Sequence, residues 1–294
     1  MTQKRKLFLL DAYALIYRSF FAFAKNPRIN SKGLDTSAIF GFTNTLVEVI
    51  RKEKPSHIAV CFDRSSPTFR HIEFKEYKSH REPTPEGIIQ AKPYIDKLLD
   101  AMNIPRLYLD GYEADDVIGT LAKKAEKEDF EVYMMTSDKD FAQLVSENIF
   151  MYRPGNKWKP TEIWGIKEVL EKFQIQKVSQ VIDFLGMMGD AADNIPGLPG
   201  VGEKTAQKFI NQYGSMEGLL ANTHEIKGKL KEKVEEAKEQ GIQSKRLATI
   251  EINVPIEFEK EKMQFTDINI EEIKLLFEDL EFKTILQRVL SLSG

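Results

Sequence analysis

Three apolar runs along the chain each end in an aspartate: Leu7-Phe8-Leu9-Leu10-Asp11, His57-Ile58-Ala59-Val60-Cys61-Phe62-Asp63 and Val132-Tyr133-Met134-Met135-Thr136-Ser137-Asp138. Near-continuous runs of this length, bounded by polar residues, predict strands buried in a parallel sheet. Helical periodicity follows them. One helical pattern passes through Ala14, Leu15, Tyr17 and Phe21; another covers 37–52, with Ile39, Phe40, Phe42, Leu46, Val49 and Ile50 on its apolar face. Further helices are predicted near 85–102 and 113–128, with a short one after Asp138, a strand over 148–153 and a helix over 162–173. This alternation predicts an α/β fold, a twisted, mainly parallel sheet flanked by helices. From about Gln176 the pattern is mainly helical. Helices over 178–188 and 203–213 flank a sharp loop, Pro196-Gly197-Leu198-Pro199-Gly200-Val201-Gly202, and the charged stretch 227–240 reads as solvated. The expected division is a core over 1–175 and a helical C-terminal subdomain over 176–294.

The alternation breaks after Asp63. Residues 64–87 are polar, basic and aromatic, including Arg70, Lys75, Tyr77, Lys78 and Arg81, and Pro83 and Pro85 close the stretch. A connection this long inside an α/β domain is usually functional or mobile. Cations for phosphates and rings for stacking suit a single strand of nucleic acid.

Composition narrows the classes. At 294 residues the chain can bury one large core or two modest ones. Its single cysteine, Cys61, rules out a disulfide framework, and the four histidines lack metal-ligand spacing, which disfavours zinc. No apolar run reaches membrane-spanning length and no signal peptide is evident, so no membrane is expected and the cytoplasm is the default location. The formal net charge of −3 argues weakly against nucleic acid, but an average conceals segregated charge.

That segregation is legible. Ligands of open parallel sheets bind outside the carboxyl ends of the strands, so Asp11, Asp63 and Asp138 are placed to meet in one crevice. Two denser groups follow, Glu113-Ala114-Asp115-Asp116 and Asp190-Ala191-Ala192-Asp193, and Asp140 lies two residues past Asp138. Capping explains one or two acids at the start of a helix. It gives no reason for three strand-end aspartates. So many carboxylates cannot share a small volume ionised without cations, and an all-oxygen donor set suits magnesium or manganese.

The loop Gly197-Leu198-Pro199-Gly200-Val201-Gly202-Glu203-Lys204-Thr205 fails the Walker spacing, because Glu203 intrudes before Lys204. A glycine hairpin between two helices fits better. Such a turn aims backbone N–H groups at a phosphate, with Lys204 and Lys208 on the following helix.

Together these segments resemble the 5′-nuclease domain of bacterial DNA polymerase I, within the flap endonuclease superfamily. The matching segments are Leu10-Asp11, Phe62-Asp63, Thr68-Phe69-Arg70, Tyr77-Lys78-Ser79-His80-Arg81, Glu113-Ala114-Asp115-Asp116, Thr136-Ser137-Asp138-Lys139-Asp140 and Gly189-Asp190 through Asp193-Asn194-Ile195-Pro196-Gly197 to Gly200-Val201-Gly202-Glu203-Lys204-Thr205-Ala206. They occur in the family's order and cover nearly the whole chain. The chain stops where the proofreading-like and polymerase domains of that family would begin. One departure is Arg81-Glu82-Pro83, where the family commonly has two prolines after the arginine.

The resemblance implies a PIN-like core. It implies Asp11, Asp63, Glu113, Asp115, Asp116, Asp138, Asp140, Asp190 and Asp193 as metal carboxylates for two Mg²⁺ ions, with Mn²⁺ as a substitute. It also implies a helical arch over about 64–87 and a helix–hairpin–helix element over about 188–213, often with a K⁺ ion. Arg70 and Lys78 are expected to grip the scissile phosphate, and Tyr77 to stack on an unpaired base. DNA contacts are expected from Arg18, Arg81, Gly197, Gly200, Gly202, Lys204, Thr205 and Lys208. The expected activity is a 5′-3′ exonuclease and flap endonuclease of primer removal and DNA repair. It would act on 5′ flaps, nicked or gapped duplex and RNA-primed ends, as a nucleoid-associated monomer, with a covalently linked polymerase domain as partner. The competing class is a non-catalytic binder of branched DNA that kept the fold, and the presence of all nine acids speaks against it.

Overall fold

The computed structural model describes residues 4–156 and 159–292. In it the three apolar runs lie side by side in one sheet. β1 (Arg5–Asp11) is followed by α1 (Ala12–Ala22) and α2 (Ser37–Glu53), then β2 (His57–Cys61), the five-residue α3 (Phe69–Glu73), α4 (Glu86–Ala101) and β3 (Arg106–Leu107). Next come α5 (Ala114–Glu126), β4 (Phe130–Met135), a 3₁₀ turn (Lys139–Leu144), β5 (Ile149–Arg153), β6 (Glu162–Trp164) and α6 (Ile166–Phe173). The sheet order is β3-β2-β1-β4-β5-β6, parallel except for the antiparallel edge strand β6. β1 pairs with both β2 and β4, Leu7 lying opposite His57 on one side and Val132 on the other.

Strand period two sorts the core. Leu7, Leu9, Ala59, Cys61, Val132 and Met134 face α5, while Phe8, Leu10, Ile58, Val60 and Met135 face α1, α2 and α4. Both faces are covered, so these strands read as continuous apolar runs with no polar alternation.

The helical part comprises α7 (Gln180–Met188), α8 (Glu203–Tyr213), α9 (Met216–Ala221), α10 (Lys229–Glu236) and α11 (Lys238–Ala248). Its Val181, Phe184, Leu185, Phe209 and Ile210 join the α5-side core. After α12 (Lys260–Met263), the chain returns to the other face. There α13 (Ile270–Leu280) and α14 (Lys283–Leu290) bury Ile273, Phe277, Ile285 and Val289 among residues of α2 and α4. The expectation of one helical subdomain over 176–294 is therefore corrected at its C-terminal end.

Two strands were not expected. β3 is too short to carry a pattern, and the predicted helix over 162–173 begins only at Ile166, because Glu162–Trp164 pairs with β5 and Gly165 caps the helix. The segment 64–85 contains only α3 as helix, so the expected helical arch is here a short helix followed by turns.

Candidate active site at the sheet switch point

Because β2 and β4 flank β1, the chain leaves β1 toward one edge and later returns to the other side. The carboxyl ends of β1 and β4 therefore frame a switch point, where open sheets bind ligands. Asp11 ends β1 and caps α1, its Oδ1 accepting the Ala14 N–H at 3.1 Å. Its Oδ2 accepts the Thr136 hydroxyl at 3.0 Å, and Thr136 Oγ1 also takes the Asp138 N–H at 3.1 Å. Thr136 thus orients two of the acids, a role the sequence reading did not give it. Asp63, just beyond β2, accepts the Ala114 N–H at 2.9 Å. Asp138 caps the 3₁₀ turn through the Asp140 N–H.

The fifth acidic segment enters from α7. Gly189 ends that helix, and the 190–195 loop is closed by paired backbone hydrogen bonds between Asp190 and Ile195. The loop docks onto the turn at 76–79. Lys78 N–H donates to the Asp193 carbonyl at 2.9 Å and Asn194 Nδ2 to the Glu76 carbonyl at 2.7 Å. Lys78 and Asn194 both adopt left-handed backbone, with φ of 54° and 58°.

Crowding shows in the proton affinities. Burial, with repulsion from Asp63 and Asp138, pushes Asp11 up to about 7. Burial and then Asp138 push Asp140 up to about 8, against the pull of Lys139. Asp115 rises well above the carboxylate range through burial and the charges of Asp11, Asp138 and Glu113. Asp63 and Asp138 are also raised, chiefly by burial. Asp193 goes the other way. Burial opposes its charge, but Lys78 and Arg81 outweigh it and hold the carboxyl below its usual value.

These acids fit hard divalent cations. The donors are all oxygen, their mutual repulsion is only partly offset by Lys78, Arg81 and Lys139, and Asp140 Oδ1 is buried without a hydrogen-bond partner. Among the described residues no group of three or more His, Cys, Asp or Glu side chains is already arranged to hold a metal ion, so binding would have to draw the acids together.

Three expected site residues are placed elsewhere. Arg70 is buried and grips Asp116 bidentately, both N···O distances being 2.8 Å; it also donates to the Leu247 and Thr249 carbonyls. Asp116 is fully buried and further accepts the N–H groups of Glu113 and Glu251. Its oxygens are consumed, so Asp116 is corrected from metal ligand to structural anion and Arg70 from phosphate grip to its partner. Tyr77 is corrected as well. Its ring is buried, and its hydroxyl lies between Glu113 at 3.0 Å and Asp193 at 3.1 Å, which leaves no face for a base. Lys78 reaches Glu113 at 2.7 Å and Asp193 at 3.6 Å, and the exposed Arg81 pairs with Asp193. Arg18 is half-buried and donates to the Gly155 carbonyl.

The glycine hairpin divides in two. Gly197 is buried and has a φ of +64°; a Cβ there would lie 2.6 Å from the Met188 carbonyl carbon. Its N–H donates to Ser244 and its carbonyl accepts from Gln240, so Gly197 closes the loop internally and is corrected as a DNA contact. Gly200, Gly202, Lys204 and Lys208 are exposed, and a side chain at Gly202 would meet nothing within 4 Å. Thr205 is half-buried, its N–H already donating to the Gly202 carbonyl. Sequence reading missed Lys233 of α10, whose ammonium would lie 4.0 Å from a Cβ at Gly200. Charge density hid it, since every turn of that helix carries lysine and glutamate.

Known proteins agree with this architecture. The model of the 5′-3′ exonuclease N-terminal resolvase-like domain matches residues 6–174, and that of the 5′-3′ exonuclease C-terminal SAM fold matches 176–271. DNA polymerase I of Bacillus subtilis (strain 168) is 45% identical over 98% of this chain, which spans 33% of that protein. The chain thus covers about a third of such polymerase relatives. A 5′-3′ exonuclease of Aquifex aeolicus (strain VF5) is 35% identical, with 97% of this chain and 95% of that protein covered. Among solved structures, T5 5′-exonuclease with bound zinc superposes with a TM-score of 0.70 at 18% identity, over 99% of this chain and all of that one, a likeness of fold. With both family models matched in order across its length, the chain belongs to the 5′-3′ exonuclease family.

Proposed function

We propose that the chain is a structure-specific 5′ nuclease that hydrolyses phosphodiesters near single-strand/duplex junctions, as 5′-3′ exonuclease and flap endonuclease. Its substrates are 5′ flaps, nicked or gapped duplexes and RNA-primed ends. One observation carries the reading: acids from separate segments crowd one switch point until their protons are held near neutral pH, with a buried oxygen of Asp140 left bare. An arrangement so costly to a metal-free protein is explained by cations that relieve it.

Two Mg²⁺ ions, or Mn²⁺ in their place, would be held by Asp63, Glu113 and Asp115 with Asp11 close by, and by Asp138, Asp140, Asp190 and Asp193. Bound there, they would lower the pKa of water and offset charge on the leaving oxygen. The chain's own residues do the rest. Thr136 holds Asp11 and Asp138 in place. Once the acids are neutralised, Lys78 and Arg81 are free to exchange Glu113 and Asp193 for a substrate phosphate. Gly200, Gly202, Lys204, Lys208 and Lys233 offer an exposed surface for the duplex backbone, where K⁺ could add to the carbonyls of the hairpin. Products would carry a 5′-phosphate and a 3′-hydroxyl.

In the cell this reading puts the chain in primer removal and DNA repair, in the bacterial cytoplasm at the nucleoid, as a monomer or as one domain of a polymerase. No helix among the described residues is long and apolar enough to cross a membrane. The test is cleavage of a labelled 5′ flap beside a blunt duplex. Activity should require Mg²⁺ and vanish with EDTA; cleavage that persists in EDTA, or is absent with every divalent ion, defeats the reading.

A further inference from the structure

Lys139 is the one charged residue inside the motif Thr136-Ser137-Asp138-Lys139-Asp140 that the mechanism above does not use. Its ammonium lies against Asp190 Oδ2 and 3.6 Å from Asp140 Oδ1. That oxygen of Asp140 is the buried one without a hydrogen-bond partner. Lys139 thus spans two acids from different segments, the turn after β4 and the loop after α7. Two acids of the proposed first cation set are met by protein donors: Asp11 by Ala14 N–H and Thr136, Asp63 by Ala114 N–H. Glu113 and Asp193 are met by Lys78 and Tyr77. At the Asp140–Asp190 corner the other donors are backbone N–H groups. Ala192 donates to Asp190 and Asp140 to Asp138, and neither reaches the bare oxygen.

We propose that Lys139 is a tethered counter-cation for the Asp140–Asp190 corner, occupying electrostatically the place of the second divalent ion and setting how tightly that ion binds. This rests on the two-cation reading above. A flexible four-carbon stem suits the task, since the ammonium is a mobile point charge. The side chain is 40% exposed, so it has room to swing out when a dication arrives. Burial works against its charge, but Asp140, Asp190 and Asp138 outweigh burial and keep it protonated. The ammonium offsets part of the repulsion among the acids in the free protein and then opposes the incoming ion. The second site would accordingly fill only at higher metal concentration than the first.

The test measures Mn²⁺ binding without DNA, by calorimetry and by the electron paramagnetic resonance signal of free Mn²⁺, for the parent, Lys139→Gln and Lys139→Arg. Folding is checked by circular dichroism. Removing a unit charge a few ångströms from a dication should tighten the weaker site by about tenfold or more. Lys139→Gln should show that tightening, and Lys139→Arg should bind like the parent. If all three bind Mn²⁺ with equal number and affinity, or Lys139→Gln binds more weakly, the counter-cation role is overturned and the two-cation reading survives. If none binds Mn²⁺, both fall together.

Discussion

In the crevice, carboxylates are packed until Asp11 and Asp140 hold protons near neutral pH; at the hairpin, Lys204 and Lys208 stand exposed and Gly202 opens onto free space. On the proposed reading both regions meet phosphate-bearing ligands, yet they store free energy differently. The crevice is destabilised in the absence of cations, and its acids gain most when charge arrives. The hairpin has little to lose or gain internally, so its cations act on affinity. Substitutions in the first should change turnover, metal dependence and stability. Those in the second should change binding and its response to salt.

The sharpest test of that division is Asp138→Asn. Asn caps a helical turn as well as Asp does, so the bond to the Asp140 N–H survives and folding should be unaffected. The charge does not survive. Cleavage should fall by about a thousandfold, a barrier increase of roughly 4 kcal/mol, while affinity for a flap substrate stays within about twofold. Single-turnover cleavage and fluorescence anisotropy measure the two. Near-parental turnover at ordinary Mg²⁺ would remove Asp138 from the proposed ligand set.

A large effect of another kind is expected at Arg70. Arg70→Ala leaves Asp116 buried without its bidentate partner, and breaking such a pair costs about 3–5 kcal/mol. Urea unfolding should show the loss. Lys78→Ala should cost far less stability, because the Tyr77 hydroxyl still lies within hydrogen-bond reach of both Glu113 and Asp193 and Arg81 still pairs with Asp193. Equal losses for the two variants would erase the distinction between the structural pair and the functional one.

The crevice also predicts an inverted pH dependence. Asp11 and Asp140 have raised folded-state values, so the folded chain keeps protons that the unfolded chain releases. That contribution is present at about pH 4 and is lost as pH rises through 7 for Asp11 and 8 for Asp140. Metal-free protein should therefore lose stability between pH 5 and 8, by on the order of a kcal/mol or more, and added Mg²⁺ should reverse the trend. Thermal melts across that range, with and without Mg²⁺, decide it; a metal-free curve that rises with pH would contradict the shifts.

The strands β1, β2 and β4 were legible because double-sided burial leaves unbroken apolar runs, and their terminal aspartates because a strand end is a fixed place. What pattern could not supply was the pairing of side chains across elements. Arg70 and Asp116 lie 46 residues apart, and only the fold shows that they satisfy each other. Tyr77 reads as a stacking ring until its hydroxyl is seen between two acids. The return of α13 and α14 to the face covered by α2 and α4 was hidden for a similar reason, since amphipathic periodicity names an apolar face and not its partner.

The smallest effect on stability is expected at Gly202, and its contrast with Gly197 separates the two halves of the hairpin. A side chain at Gly202 meets open space on backbone with φ of −93°, so Gly202→Val should cost at most about 1 kcal/mol of stability, the scale of a poor N-cap. At Gly197 the left-handed backbone and the Met188 carbonyl carbon at 2.6 Å forbid a Cβ, so Gly197→Val should impair folding itself. If the exposed half meets phosphate, the folded Gly202→Val protein should bind flap and nicked duplex about tenfold more weakly, similarly across sequences. Free single strands should be little affected. Lys204→Ala should lower the slope of log affinity against log salt by about one. The binding series should run at several K⁺ concentrations, alongside cleavage at saturating protein. Loss of affinity with retained single-turnover rate places the duplex on Gly202 and Lys204, away from the crevice. Parental binding by a folded Gly202→Val protein would make the whole hairpin what Gly197 already is, a device for closing a loop.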